Sequence, residues 1–80
     1  MGPNEIKHNA PTPPYVQLAA ILRSRVERGD WRPGEPIASE LRLTEEYGVS
    51  RGTVRRAIAV LVDEGVLFVV PHRGTYVAER

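Results

Sequence analysis

Arg51 and Arg55 are the residues whose type and spacing carry the most chemistry. Four positions apart on a helix, they are neighbours on one face. A guanidinium is a planar fork that can grip a phosphate, or the edge of a guanine, with two parallel hydrogen bonds, which a lysine point charge cannot do. All but Lys7 of the eleven cations are arginines, and the segment 50–56 holds three of them and no acid; Glu40, Glu45, Glu46, Asp63 and Glu64 lie outside it. The formal net charge is only +1, so distribution rather than total charge points to an anionic partner. A solvated helix face would carry the same residues, and the surrounding elements have to decide between the two.

Other chemistries find little to work with. There is no cysteine, which removes disulfides, thiolate metal sites and thiol nucleophiles. The only histidines are His8 and His72, neither placed beside a nucleophile, and no carboxylate pair has an evident cleft, so the chain is not expected to be an enzyme. No cluster suggests a metal or another cofactor. No apolar run approaches the roughly 18 residues needed to cross a bilayer, and the N-terminal residues lack the apolar stretch of a signal peptide. A soluble, cytoplasmic protein without a membrane partner is the expectation.

The two arginines need a helix to hold them. Ser50 can cap its start by accepting from free first-turn amides, and Gly65 suits a left-handed stop, giving a helix over about 50–64. Val54, Ala57, Ile58, Leu61 and Val62 form an apolar stripe that must face a core, while Gly52, Arg55, Arg56 and Ala59 project elsewhere. Before it, Ser39 caps a second helix, about Glu40 to Tyr47, with Leu43 and Tyr47 facing inward. Gly48-Val49-Ser50 then makes a short turn whose glycine allows a positive φ and whose valine fills the angle between the helices. This is a helix-turn-helix pattern, which a generic pair of cornered helices would share.

Eighty residues make one small domain. Residues 1–14, with four prolines, are expected to be a disordered leader or an expression remnant, and the domain to occupy 15–80. Pro13-Pro14 suits a helix start, and Tyr15, Leu18, Ile21, Leu22 and Val26 recur at helical spacing up to Gly29. The polar side of that helix, with Gln17, Arg23, Ser24 and Arg28, faces either a DNA backbone or water. Asp30-Trp31-Arg32-Pro33-Gly34 is a sharp turn with Trp31 at the core edge. Glu35-Pro36-Ile37 is too short for more than a stub of strand. After the basic helix, Val66–Val70 and Thr75–Ala78 read as two short strands around Pro71-His-Arg-Gly74, with Gly74 closing the hairpin and His72 and Arg73 at its tip. The fold class is therefore mainly α with a small β-hairpin: a winged helix-turn-helix of three helices plus a wing. An arginine at such a tip can enter a minor groove.

Six segments in order carry a family likeness: Tyr15-Val-Gln-Leu-Ala19, Gly29-Asp-Trp-Arg-Pro-Gly34, Ile37-Ala-Ser-Glu40, Tyr47-Gly-Val-Ser-Arg-Gly-Thr-Val-Arg-Arg-Ala57, Leu61-Val-Asp-Glu-Gly65 and Arg73-Gly-Thr-Tyr-Val77. Together, over about residues 15–78, they resemble the N-terminal DNA-binding domain of GntR-family bacterial transcription regulators. The resemblance implies a repressor domain that binds a palindromic double-stranded operator as a homodimer, with the recognition helix in the major groove and the wing tip, 72–74, in the minor groove. It implies DNA contacts at Ser39, Ser50, Arg51, Gly52, Thr53 and Arg55 and at Arg73 and Gly74; His72 beside them is expected to neighbour a phosphate or simply to be exposed. Three positions depart from the family pattern: Ala38 where proline is usual, Leu41 where a DNA-touching arginine is usual, and Gly52 where a side chain often reaches a base. The family's larger C-terminal effector and dimerisation domain has no counterpart here, so a DNA-binding domain without its sensor is expected. A winged helix used to bind an acidic protein is the alternative.

Overall fold

The computed structural model describes residues 5–79. Its elements are α1 (Pro14–Glu27), α2 (Glu40–Tyr47), α3 (Arg51–Asp63), β1 (Leu67–Val70) and β2 (Gly74–Val77). β1 and β2 form an antiparallel hairpin in which Leu67 faces Val77 and Val70 faces Gly74. α1 and α3 pack against each other, α2 packs on α3, and the hairpin follows α3 directly. The winged helix-turn-helix expected from the sequence is the fold.

Local chemistry explains the element ends. α1 starts at Pro14, where the missing N–H costs no helical bond, and stops at Gly29 with φ 86°. Ser39 Oγ accepts from the Arg42 N–H at 3.1 Å and caps α2, which ends at Gly48 in the left-handed region. Ser50 Oγ caps α3 in the same way, accepting from the Thr53 N–H at 3.1 Å.

One core serves all the elements. Leu18 and Leu22 of α1, Leu43 of α2, Val54 and Leu61 of α3, and Leu67 and Val77 of the hairpin are its largest fully buried side chains. Trp31 packs at its edge. Val62, expected inward, is 38% exposed. It lies roughly 90° around the helix from the centre of the Val54, Ala57, Ile58, Leu61 stripe, and so falls on the side facing the wing. The stub at Glu35–Ile37 is tied to β2: the Ile37 N–H donates to Thr75 O at 2.9 Å and the Val77 N–H to Glu35 O at 2.9 Å. It works as a third edge that fixes the base of the wing.

The expected disordered leader needs correction from residue 5 onward; residues 1–4 lie outside the described residues, as does Arg80. Residues 5–13 contain no helix or strand, yet Ile6 is buried in the core. Gln17 holds the segment in place. Its Oε1 accepts from the Lys7 N–H at 2.8 Å, and its Nε2 donates to Lys7 O at 2.9 Å and Thr12 O at 2.7 Å. An amide side chain is both donor and acceptor, so one glutamine pairs backbone groups that a proline-rich strap cannot pair for itself.

The polar side of α1 is also structural. Arg23 holds Glu64 through Nε and Nη2 at 2.9 and 2.7 Å. Arg25 lies over the Trp31 ring, 4.3 Å from its centroid, and donates to Asp30, Glu46 and the Tyr47 hydroxyl, linking α1 to the turn and to α2. Arg28 clasps Asp30 with two bonds of 2.9 Å. These hydrogen bonds, first from Arg28 and then from Arg25, hold the Asp30 carboxyl down at about 2, below its ordinary 3.8. A carboxyl depressed by folding adds stability above its unfolded value, and that stability is lost as pH falls through the folded one. Asp30→Asn should therefore melt below the wild type at neutral pH and converge with it between about pH 4 and 2. Thermal melts across that range test this; a pH-independent gap would refute it.

Candidate nucleic-acid interface

The helix-turn-helix and the wing bring most of the singled-out residues to one side of the molecule. Ser39 and Glu40 at the start of α2 line a shallow hollow with His72, Arg73 and Gly74 of the wing tip. A neighbouring hollow runs between α3 and the wing and is lined by Glu40, Arg55, Ala59, Val62, Val69 and Thr75, among others. Glu40 borders both. Ser50, Arg51, Gly52 and Thr53 form the first turn of α3, where free N–H groups and the positive end of the helix dipole lie.

Arg51 and Arg55 remain exposed, with 68% and 63% of their side-chain surface open. Their acidic neighbour comes from α2. Arg55 Nε donates to both Glu40 oxygens, at 3.2 and 3.0 Å, and Arg51 Nε lies 3.7 Å from Glu40 Oε1. The hydrogen bonds it donates to Glu40, followed by the charge of that carboxylate, raise the pKa of Arg55 above its ordinary value, so this guanidinium is permanently charged. Arg56, third of the cluster in sequence, turns away: its guanidinium sits 4.0 Å from the centroid of the Tyr15 ring on α1.

The hydroxyls are partly committed. Ser50 Oγ accepts from the Thr53 N–H and donates to Thr53 Oγ1 at 3.1 Å. Gly52 is exposed, and an added Cβ would meet only Ser50 Oγ, at 3.8 Å. Nothing among the described residues requires a glycine there.

At the wing tip the Arg73 N–H closes a turn on Val70 O at 3.0 Å. Pro71 suits the second position of that turn, and the third is His72 at φ 64°, where glycine or asparagine is the common occupant. Gly74, expected to close the hairpin, has φ 132° and already pairs with Val70, so two residues at the tip carry unusual backbone. Phe68 and Tyr76 stack across the ribbon with centroids 5.7 Å apart and stiffen it. Leu41 is 62% exposed, and neither it nor Arg42 lines the two hollows; both face a separate one with Arg25 and Trp31.

Glu40 is the member of this surface that the sequence reading missed. It was counted outside the basic segment, although a glutamate one residue after a cap, followed by an eight-residue helix and a tight turn, is carried back beside the next helix. Among the described residues no group of three or more histidines or carboxylates could hold a metal, and no helix is long and apolar enough to cross a membrane.

A family model described as bacterial regulatory proteins, gntR family, matches residues 14–77. Among curated relatives, the HTH-type transcriptional repressor NagR of Bacillus subtilis is 38% identical over 74 residues, 92% of this chain and 30% of that protein. The mannosyl-D-glycerate transport/metabolism system repressor MngR of Escherichia coli is 42% identical over 68 residues, 85% of this chain and 28% of that protein. The chain thus spans about 30% of the length of these relatives. Among solved structures, the AraR DNA-binding domain in complex with operator ORX1 superposes with TM-score 0.85 at 35% identity, covering 92% of this chain and 95% of that one. YtrA from Sulfolobus acidocaldarius, a GntR-family transcription factor, superposes with TM-score 0.84 at 32% identity, covering 99% and 83%.

Proposed function

The chain belongs to the GntR family of bacterial regulatory proteins, and from that premise we propose that it binds double-stranded DNA sequence-specifically, as the operator-reading part of a transcriptional repressor acting in the cytoplasm. One observation carries the reading: two exposed arginines on the first two turns of a capped helix share a face with a cationic hairpin tip. A helix of this kind fits the major groove, and the wing reaches the neighbouring minor groove. The repressor names of relatives and the operator complex of the AraR domain support it.

The roles follow from chemistry. Arg51 and Arg55 read base edges. Ser39, Ser50 and Thr53, with the free amides of the two helix starts, hold phosphates. Gly52 lets the α3 backbone approach closely. Arg73 enters the minor groove, positioned by the turn at His72 and Gly74, with His72 near a phosphate. The operator is palindromic and bound by two copies, paired on DNA or through a C-terminal effector domain of the full-length regulator.

Selection of duplexes from a random pool tests this. The expected product is an inverted repeat with half-site centres about one helical turn, 10–10.5 base pairs, apart. Its affinity should fall steeply with salt, as counterions are released from neutralised phosphates. Recovery of no preferred sequence would refute the proposal.

A further inference from the structure

His72 carries a side chain where the backbone favours none. Its φ is 64°, and the other described residues with positive φ, Gly29, Gly34, Gly48, Gly65 and Gly74, are all glycines. Histidine tolerates this region better than most side chains, but glycine occupies it without the steric cost. No contact among the described residues offsets that cost: the imidazole is exposed and has no hydrogen bond, ion pair or ring contact there. What His72 does line is the hollow between the wing tip and the start of α2, together with Ser39 and Arg73. The charged groups that face this hollow are Arg73 from the wing and Glu40 from α2, one cation and one anion.

We propose that His72 makes DNA binding by this domain proton-linked: as the imidazolium it adds a charged phosphate contact at the wing tip, and as the neutral imidazole it gives up that charge. This rests on the reading that the wing tip meets DNA. Histidine is the side chain that ordinarily changes charge between about pH 5 and 8, so one residue can switch the charge of the tip across the neutral range. A hydrogen bond to phosphate is roughly twice as strong when the donor is charged. The coupling is reciprocal: a proton that strengthens binding is itself held by the bound phosphate, so the duplex draws a proton onto the tip. Arg73 and Glu40 oppose each other in sign, which leaves phosphate as the unbalanced charge that the imidazole meets. The sign follows, with affinity highest on the acid side and falling as pH rises through the histidine range. The other histidine, His8, follows Lys7, whose backbone Gln17 holds against α1, and does not line this hollow. Because the contact is to phosphate, the effect is independent of base sequence.

Fluorescence anisotropy at fixed ionic strength tests this between about pH 6 and 8, on the duplex selected by the wild-type chain and on a shuffled duplex of equal composition. Wild-type affinity should fall by about tenfold over that range on both duplexes, and the salt slope at the acid end should be steeper by about 0.9, the increment for one phosphate contact. His72→Asn tolerates a positive φ but does not titrate, and should give a flat pH profile. His72→Gly, which also relieves the backbone, should give the same flat profile, whereas His8→Asn should keep the wild-type one. Both variants at position 72 should melt cooperatively near the wild-type temperature, since the imidazole has no partner in the fold. A flat wild-type profile would overturn the proposal, as would a wild-type profile in His72→Asn or its loss in His8→Asn. So would a pH dependence confined to the selected duplex, which places the imidazole on a base, or loss of a cooperative melt in both variants, which makes its role structural. If the wild-type chain binds neither duplex at any pH, the DNA-binding reading falls, and this inference with it; binding with a flat profile removes the proton link alone.

Discussion

Arg51→Ala is expected to weaken binding to the selected operator by about 10- to 100-fold, the consequence of losing one bidentate contact to guanine of about 1–3 kcal/mol. The size of the loss is informative because the domain itself has little stake in this side chain. Arg51 is 68% exposed and its ion pair with Glu40 spans 3.7 Å, too long for a hydrogen bond. Alanine is also a good helix former, so the variant should melt within about 0.5 kcal/mol of the wild type. Binding to a shuffled duplex of equal composition should fall far less. A titration in which Arg51→Ala keeps operator affinity would remove Arg51 from the reading surface. Equal losses on both duplexes would reassign it to phosphate.

Much of this surface was legible from residue types, and the reason differs between its parts. The ends of α2 were placed at Glu40 and Tyr47 because both signals are local: a serine that caps and a glycine that takes a positive φ act within one turn. The core positions of α3 followed from helical periodicity, except Val62, where the apolar stripe is wider than the arc that touches α1 and α2. Pairings distant in sequence were not legible. Nothing near Ile6 or Gln17 announces that they fasten the N-terminal segment, because the apolar residue is single and the glutamine bonds to backbone. Glu40 was hidden for a related cause: a charge run is read along the chain, whereas the turn at 48–50 places an acid inside a cluster that looked purely basic. The left-handed His72 was masked by Gly74, which offered an easier place for the same backbone freedom.

The largest loss of stability is expected from Leu43→Ala. α2 has eight residues, and a helix that short does not persist in water without tertiary packing. Leu43 is its only fully buried side chain, with Tyr47 and the flanking Ala38 and Val49 partly buried against the same core. Truncating a buried leucine costs about 2–5 kcal/mol through lost transfer energy and the cavity left behind. A domain of this size has about 5–15 kcal/mol in total, and each kcal/mol moves its melting point by about 4–8 °C. Denaturant titration should show the change in midpoint, and thermal melting a fall of at least about 10 °C. The control lies two residues away. Leu41→Ala removes a side chain of the same composition from the same helix, but one that is 62% exposed, and should change stability by less than about 0.5 kcal/mol. Equal effects would mean that α2 is not docked through Leu43. Because that docking is what sets Ser39 and Glu40 beside the wing tip and the α3 arginines, Leu43→Ala should also weaken operator binding at temperatures where the domain is still folded, without touching DNA. Unchanged binding by folded Leu43→Ala would separate the seating of α2 from the reading of DNA.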